Sequence, residues 1–512
     1  MPTAAAPSPI DARFREAAAQ FPQKTALLID DRRFNYAELA RDVDALSRGL
    51  AAAGLAAGEH VGLVLPNCAP FVVTLLAAAR LGLVLVPQSP GLSAEAIDST
   101  FDAADVRHLI AWHGLAGQLD GRRRAGVKIV VGAAADGWTS YDALLDEPAR
   151  EVAVAPLLPA EHPYLLILTS GSTGQPKPIV LSQATKVLRA EAAGQLYGVT
   201  AGDVTLAATP LYHSLAQRLV LMPLLTGGTS VVLGHFTPTA WIEAVHRHGV
   251  TFSIAVSSQL KAILAQGDRL ADRLRSLRCL VSSSALLDDE TKARLIDQLD
   301  CDFHECYGAS EIAIATNLSP AAAREKLGSV GRAIPGVVVA ILGEDGQLAP
   351  TGCAGEIVCH TPMRYSGYYR QPETTAAAQW HGHFRTGDLG RMDADGFLYF
   401  LGRIKDIIIT GGVNVYPKDI EDVVMRHPAV EECAAIPLAD DGLGEVVGVV
   451  VAFKDGEQPP ALRDLQRLCM QHLGDYQQPR RFITLPALPK NAMGKLDKLT
   501  LRNTYSPRRQ AG

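Results

Sequence analysis

The chain has 512 residues, several times the roughly 150 that one hydrophobic core serves, so two or more domains are expected. Hydrophobic residues make up 48% and charged residues 20%, with 45 Gly and 31 Pro, which argues against a disordered chain and fits a globular α/β protein. A formal net charge of -6 supplies no global positive field, so no nucleic acid partner is expected.

Near the N-terminus Asp11, Arg13, Arg15 and Glu16 stand where a signal peptide needs an apolar core. The eight cysteines are scattered without a CxxC pair, which fits reduced thiols and a cytoplasmic protein. Cys301, His304 and Cys306 are neighbours, but no second ligand pair at finger spacing follows, so core packing is the reading. Next comes a helix with Tyr36, Leu39, Val43, Leu46 and Leu50 at helical spacing, Asn35 as N-cap, Glu38 three residues on, and Gly54 at its end. No charge appears from Val61 to Ala79, long enough to suggest a membrane span. The segment PNCAP (66–70) splits that run into a strand, VGLVL, and a helix over 70–81 closed by Gly82, each too short to span. With the strand VLVP after it, the β-α-β order predicts a parallel sheet.

Apolar strands alternate with longer helical stretches over 105–300, which reads as doubly wound layers. The basic stretch Arg122 to Arg124 reads as a solvated loop. From Gly328 the texture changes to short strands and Gly/Pro/Asp turns, a barrel-like β region. Beyond Arg403 follow a Pro-initiated helix, two strands and a helix near 460–472, enough for a separate α+β domain. The expected architecture is α/β: a large N-terminal domain over 1–402, a hinge at 403–406 and a small C-terminal domain over 407–512.

The chemistry starts after the strand YLLIL, in TSGSTGQPK. Thr169, Ser170, Gly171, Ser172, Thr173, Gly174 and Lys177 offer backbone N–H groups, hydroxyls and one ammonium that can wrap phosphate oxygens. Lys177 lies between Pro176 and Pro178, so this is not a Walker A loop, and alone such a turn is as often plain surface.

At this point the sequence closely resembles the AMP-forming acyl-CoA synthetases, of the superfamily that includes adenylation domains and luciferases, over nearly the whole chain. That family's loop reads TSGTTGxPKG and embraces the ATP phosphates; here Ser172 replaces a Thr and Pro178 replaces the usual Gly, which stiffens the loop exit. CYGASE resembles the YGxTE element, implying that Tyr307 stacks on adenine beside Gly308, Ala309 and Ser310, and that Glu311 holds Mg2+. SSSALL takes the place of the adenine turn SGGAPL. Ser283, Ser284 and Leu286 stand where Gly, Gly and Pro are common, with Ala285 between. Two lost glycines imply a narrower acyl pocket and a small or polar acyl group.

The resemblance further implies that Asp388 and Arg403 hold the ribose and nucleotide oxygens and that Lys405 is the hinge of a mobile C-terminal domain. Gly411 and Gly412 would line the CoA tunnel, and Lys495 would bridge the substrate carboxylate and the α-phosphate. His213 resembles the gate between acyl pocket and nucleotide, with Ser214, Gln217 and Ala309 lining the pocket. No Asp follows His213 to bind an ammonium, so α-amino acids are not expected. Arg218 would pair with a second carboxylate if it faced inward, but a solvated helix face is the expectation.

The implied activity is ligation of a small to medium aliphatic or aromatic acid to CoA, using ATP and Mg2+, through an acyl-adenylate. The alternative acceptor is the phosphopantetheine of an acyl carrier protein, and exposed Arg480, Arg481 and Lys490 suit the phosphates of either. A non-catalytic sensor on the same fold would need loss of Lys177, Glu311 or Lys495, all of which are present.

Overall fold

The computed structural model describes residues 10–29, 31–120, 126–146, 159, 161–170, 176–267, 270–454, 461–490 and 496–506. The basic stretch Arg122 to Arg124 lies outside them.

The β-α-β alternation builds a seven-stranded sheet in the order Thr139–Ser140, Lys128–Val131, His108–Trp112, His60–Val64, Val84–Pro87, Pro163–Ser170, Pro176–Ser182. Every pair is parallel except the last, which is antiparallel. The uncharged run from Val61 resolves into the strand His60–Val64 and the helix Ala69–Leu81. All but two of that helix's residues are buried, and Gly82 closes it at φ 71°, a left-handed cap that glycine adopts without strain. Its uniform apolarity therefore belongs to a core helix; among the described residues no helix is long and apolar enough to cross a membrane. Asn35 and Glu38 form the expected capping box on the helix Tyr36–Ala52.

A nine-stranded sheet runs in the order Arg332–Ala333, Ala313–Leu318, Asp302–Ala309, Cys279–Ser283, Phe252–Val256, Val204–Ala207, Thr229–Val232, Thr25–Ile29, Arg32–Asn35. Its central strands pair in parallel and its edges antiparallel. Central strands covered on both faces read as unbroken apolar runs, and Trp241, Val245, Leu260, Leu280 and Phe303 form part of one core on this sheet. A shorter five-stranded sheet, Val338–Leu342, Ala354–His360, His383–Met392, Gln379–Trp380 with Leu398–Arg403 beside His383–Met392, is the barrel-like region.

The last sheet is α+β: Val413–Val415, Ile408–Thr410, Gly444–Phe453, Val430–Asp440, with Arg481–Thr484 on Gly444–Phe453. Helices Pro417–Val424, Leu462–His472 and Lys498–Tyr505 bury its two faces. The chain divides into two compact units, Met1–Val339 with Cys359–Phe384, and Ala340–Val358 with Arg385–Gly512.

Candidate active site

The antiparallel pairing of Pro163–Ser170 with Pro176–Ser182 sets Thr169 opposite Lys177 and Ser170 opposite Pro176, so the two described ends of the TSGSTGQPK segment face each other. Gly171, Ser172, Thr173 and Gly174 lie outside the described residues. Beyond Pro178 the outer edge of the strand is covered by 366–369: Tyr369 N donates to Pro178 O at 2.8 Å, and Val180 N to Gly367 O at 3.0 Å. This pairing carries Tyr368 to Lys177, whose ammonium lies 5.7 Å from the ring centroid.

The Tyr368 hydroxyl donates to Glu311 Oε1 at 3.0 Å, linking Lys177 to the carboxylate that ends CYGASE. Burial, then the Glu311 charge, pushes the Tyr368 hydroxyl far above its ordinary range, so it stays a donor. The backbone of Glu311 is clamped as well. Arg189, buried on the helix Gln183–Leu196, donates to the carbonyls of Met363 at 3.0 Å, Ser310 at 2.9 Å and Glu311 at 3.0 Å. A guanidinium serves here because its rigid fork reaches three acceptors at once.

Tyr307, Gly308 and Ala309 end the strand Asp302–Ala309, with a bulge between Tyr307 and Gly308 against Ala313–Leu318. A Cβ on Gly308 would fall 1.8 Å from Ala313 O, so only glycine lets the two strands close there.

The turn expected to hold adenine follows the strand Cys279–Ser283. Ser284 adopts φ 76°, a left-handed conformation that a serine pays for in strain. Ser257 Oγ donates to Ala285 O at 2.6 Å and Leu287 N donates to Glu305 Oε1 at 3.1 Å, so both ends of Leu286 are tied. Glu305 pairs with Lys292 at 2.7 Å, both buried, and Lys292 also donates to the Leu327 carbonyl. Burial pushes the Glu305 carboxyl up, against the pull of Lys292 and the Leu287 N–H.

Where the acyl pocket is expected, His213 occupies the N-cap position of the helix Ser214–Thr226. The approach to it is pinned by buried Asn67, which donates to Thr209 O at 3.1 Å and Leu233 O at 2.8 Å and accepts from Leu211 N at 2.6 Å. The PNCAP segment thus has a second role besides splitting an apolar run. Ser214 is half-buried, whereas Gln217 is fully buried, accepting from Lys186 Nζ at 3.0 Å and donating to Leu211 O at 3.0 Å. Burial, with Arg189 and Arg218 nearby, pushes the Lys186 ammonium well below its ordinary range. Arg218 departs from the sequence expectation. It is 9% exposed and faces inward, because the helix is buried on nearly all sides and has no solvated stripe.

In the second unit Asp388 and Arg403 are cross-strand partners, with Arg403 Nε 3.2 Å from Asp388 Oδ1. Lys405 lies exposed in the short turn Ile404–Asp406, its carbonyl accepting from Arg502 at 3.3 Å. Gly411 and Gly412, at φ 56° and 84°, form the tip between Ile408–Thr410 and Val413–Val415; consecutive positive φ angles make this a turn suited to Gly-Gly. Arg480, Arg481 and Lys490 are exposed, and Lys490 pairs with Glu432 at 2.9 Å. Lys495 lies outside the described residues.

Among the described residues no three His, Cys, Asp or Glu side chains gather into a metal cage. A single hard oxygen donor such as Glu311 fits Mg2+ that arrives with nucleotide phosphates, since that ion takes one or two protein carboxylates and completes its shell with phosphate and water.

Residues 14–369 match the AMP-binding enzyme family and 419–495 the AMP-binding enzyme C-terminal domain. The chain is 32% identical to an indoleacetate–CoA ligase of Aromatoleum aromaticum, over 94% of this chain and 95% of that one. It is 33% identical to a sulfoacetate–CoA ligase of Cupriavidus necator, over 95% and 96%. The o-succinylbenzoate CoA synthetase of Bacillus subtilis, solved with its acyl-adenylate, superposes with a TM-score of 0.87 at 26% identity, covering 97% of this chain and 98% of that one. The chain belongs to the AMP-binding enzyme family, as an AMP-forming acyl-CoA synthetase that uses ATP, Mg2+ and CoA.

Proposed function

We propose that this ligase activates a small to medium aliphatic or aromatic acid, with the two half-reactions divided between named residues. The observation that supports this most is the chain of contacts from Lys177 through Tyr368 to Glu311, which sets a cation and a carboxylate at one end of the sheets. In the first half-reaction a carboxylate oxygen of the acid attacks the α-phosphorus of ATP, the bond to the β-phosphate oxygen breaks, and pyrophosphate leaves. No general base is needed, because a carboxyl of ordinary pKa, roughly 4, is already ionised near neutrality. Lys177, Thr169, Ser170 and Thr173 hold the departing phosphates, and Lys495 bridges the attacking carboxylate and the α-phosphate. Glu311 would hold the magnesium that accompanies the nucleotide, which would supply positive charge for the departing pyrophosphate. Tyr307 and the Ser284–Leu286 turn hold adenine; Asp388 and Arg403 hold the ribose; His213 gates the acyl pocket.

In the second half-reaction the CoA sulfur attacks the acyl carbon, the acyl–phosphate oxygen bond breaks and AMP leaves. We place the domain boundary at 403–406, with Lys405 as the hinge that withdraws Lys495 and brings Gly411 and Gly412 to the thiol. The cytoplasm, where CoA and ATP are both abundant, is the proposed location. In Lys495→Ala, acid-dependent ATP–pyrophosphate exchange is expected to stop while thioester still forms from supplied acyl-adenylate. Equal loss of both steps refutes the division of labour.

A further inference from the structure

Glu305 and Cys306 are consecutive in the strand Asp302–Ala309, so their side chains point to opposite faces of the nine-stranded sheet. On one face Glu305 meets Lys292 at 2.7 Å, and that buried cation is balanced from within. On the other face Cys306 meets Ser283 Oγ at 3.2 Å and lies close enough to Arg218 to interact with it. Burial raises the Cys306 thiol, against the pull of Ser283 and Arg218, so this neighbour is neutral.

Arg218 is nine-tenths buried, its Nε has no hydrogen-bond partner, and no ion pair reaches it from the described residues. Among the described residues the surroundings supply no counter-charge. Lys186 and Arg189 are buried within electrostatic range, and Arg218 lies in the first half of its helix, toward the positive end of the dipole. Arginine does not deprotonate in proteins, so this charge persists at neutral pH. Arg189 is committed to three carbonyls and Lys186 to Gln217, which leaves Arg218 with its fork unspent.

The position matches the acyl end of the site. Arg218 follows the gate residue His213 by five positions, about 7 Å along a helix. Its neighbour Cys306 precedes Ala309 by three, about 10 Å along a strand. A buried, permanent cation at that depth lacks an anion among the described residues.

We infer that Arg218 is a specificity residue that binds a second anionic group, on a short spacer, of the acid undergoing activation; the substrate class is therefore an acid with an anionic tail, such as an α,ω-dicarboxylate. This rests on the ligase reading above and narrows it. A planar guanidinium takes a carboxylate through two parallel N–H···O bonds, and burial strengthens that pair.

The test uses the full chain and chain-length-matched pairs: succinate and butyrate, glutarate and pentanoate, adipate and hexanoate. Pyrophosphate release is followed in wild type, Arg218→Met and Arg218→Lys. Wild type is expected to prefer the diacid in at least one pair. Arg218→Met should lose about 100-fold in kcat/KM for that diacid, mostly in KM, with the monoacid unchanged or improved, while Arg218→Lys keeps part of the preference. Without substrate, Arg218→Met should melt at or above the wild-type temperature, because an unbalanced buried charge has been removed.

A wild-type preference for monoacids, or a diacid-to-monoacid ratio unmoved by Arg218→Met, overturns the inference and leaves the ligase reading standing. A marked fall in melting temperature in Arg218→Met also overturns it, since the guanidinium would then be paired within the chain. Activation of none of the six acids overturns it too. If a broad pool of other acids also releases no pyrophosphate, the ligase reading falls with it.

Discussion

Lys292 and Arg218 are buried on opposite sides of one strand, and the chain treats them differently. Lys292 has Glu305 at 2.7 Å and the carbonyls of Leu327 and Ser329; Arg218 has a neutral thiol and the basic side chains of Lys186 and Arg189 nearby. A cation neutralised from within fixes its surroundings, and here the fixed element is the turn at Leu287, which hangs from the same carboxylate. A cation left unneutralised costs stability until an anion arrives, which is the usual condition of a binding site.

The largest expected effect comes from making the first region resemble the second. Glu305→Gln leaves Lys292 buried with only the exposed Asp289 carboxylate, 3.7 Å away, as counter-charge, and breaking a buried pair in this way costs about 3–5 kcal/mol. The double variant Lys292→Met/Glu305→Gln removes the stranded charge and should recover most of that loss, a strongly non-additive pair readable by urea unfolding. If Glu305→Gln is as stable as wild type, Lys292 does not depend on its partner and the contrast with Arg218 dissolves.

How much of this was legible in sequence follows from how far apart the partners are. The capping box at Asn35 and Glu38, the Gly82 cap and the split of the uncharged run are local, and each rests on residues within a few positions. The motif residues at Lys177, Tyr307, Glu311, Asp388 and Arg403 were visible because their residue types and order resemble a family. The residues that hold them in place were not. Arg189 reaches Met363 across 174 positions, Asn67 reaches Leu211 across 144, and Tyr368 reaches Glu311 across 57. Nothing in a single sequence marks an ordinary Arg, Asn or Tyr as the far end of such a contact. Arg218 was misread for a related reason: a charged residue was assumed to mark a solvated face, and the helix Ser214–Thr226 has almost none.

A third cation gives an intermediate case. Arg278, only partly buried, donates to Asp203 Oδ1 at 2.8 Å, and Thr251 Oγ1 and Thr200 N donate to the same carboxyl at 2.7 Å each. Burial alone would raise the Asp203 carboxyl, but the Arg278 and Thr200 bonds outweigh it and bring it down to about 2 from 3.8. A carboxyl lowered on folding stabilises fully above its unfolded pKa and loses that contribution as pH falls through its folded value. With Arg278 in partial contact with water, Asp203→Asn should cost about 1–2 kcal/mol at pH 7. The gap in melting temperature between variant and wild type should then narrow below about pH 4. A gap independent of pH would show that the cost comes from the hydrogen bonds and not from the charge.

The smallest effect lies where the two faces meet. Ser283 bonds to Cys306 on the Arg218 side and Leu287 to Glu305 on the Lys292 side, with Ser284 between them at φ 76°. A left-handed serine costs roughly 1–2 kcal/mol in backbone strain. Ser284→Gly removes that strain but adds freedom to the unfolded chain, so a net gain of up to about 1 kcal/mol is expected. The same change loosens a turn proposed to hold adenine, so the KM for ATP should rise modestly as the melting temperature rises. If the protein instead loses stability, the serine side chain contributes more than its backbone costs. The anchors at Ser283 and Leu287 would then be insufficient to hold the turn, and the independence of the two faces would fail at the point where they join.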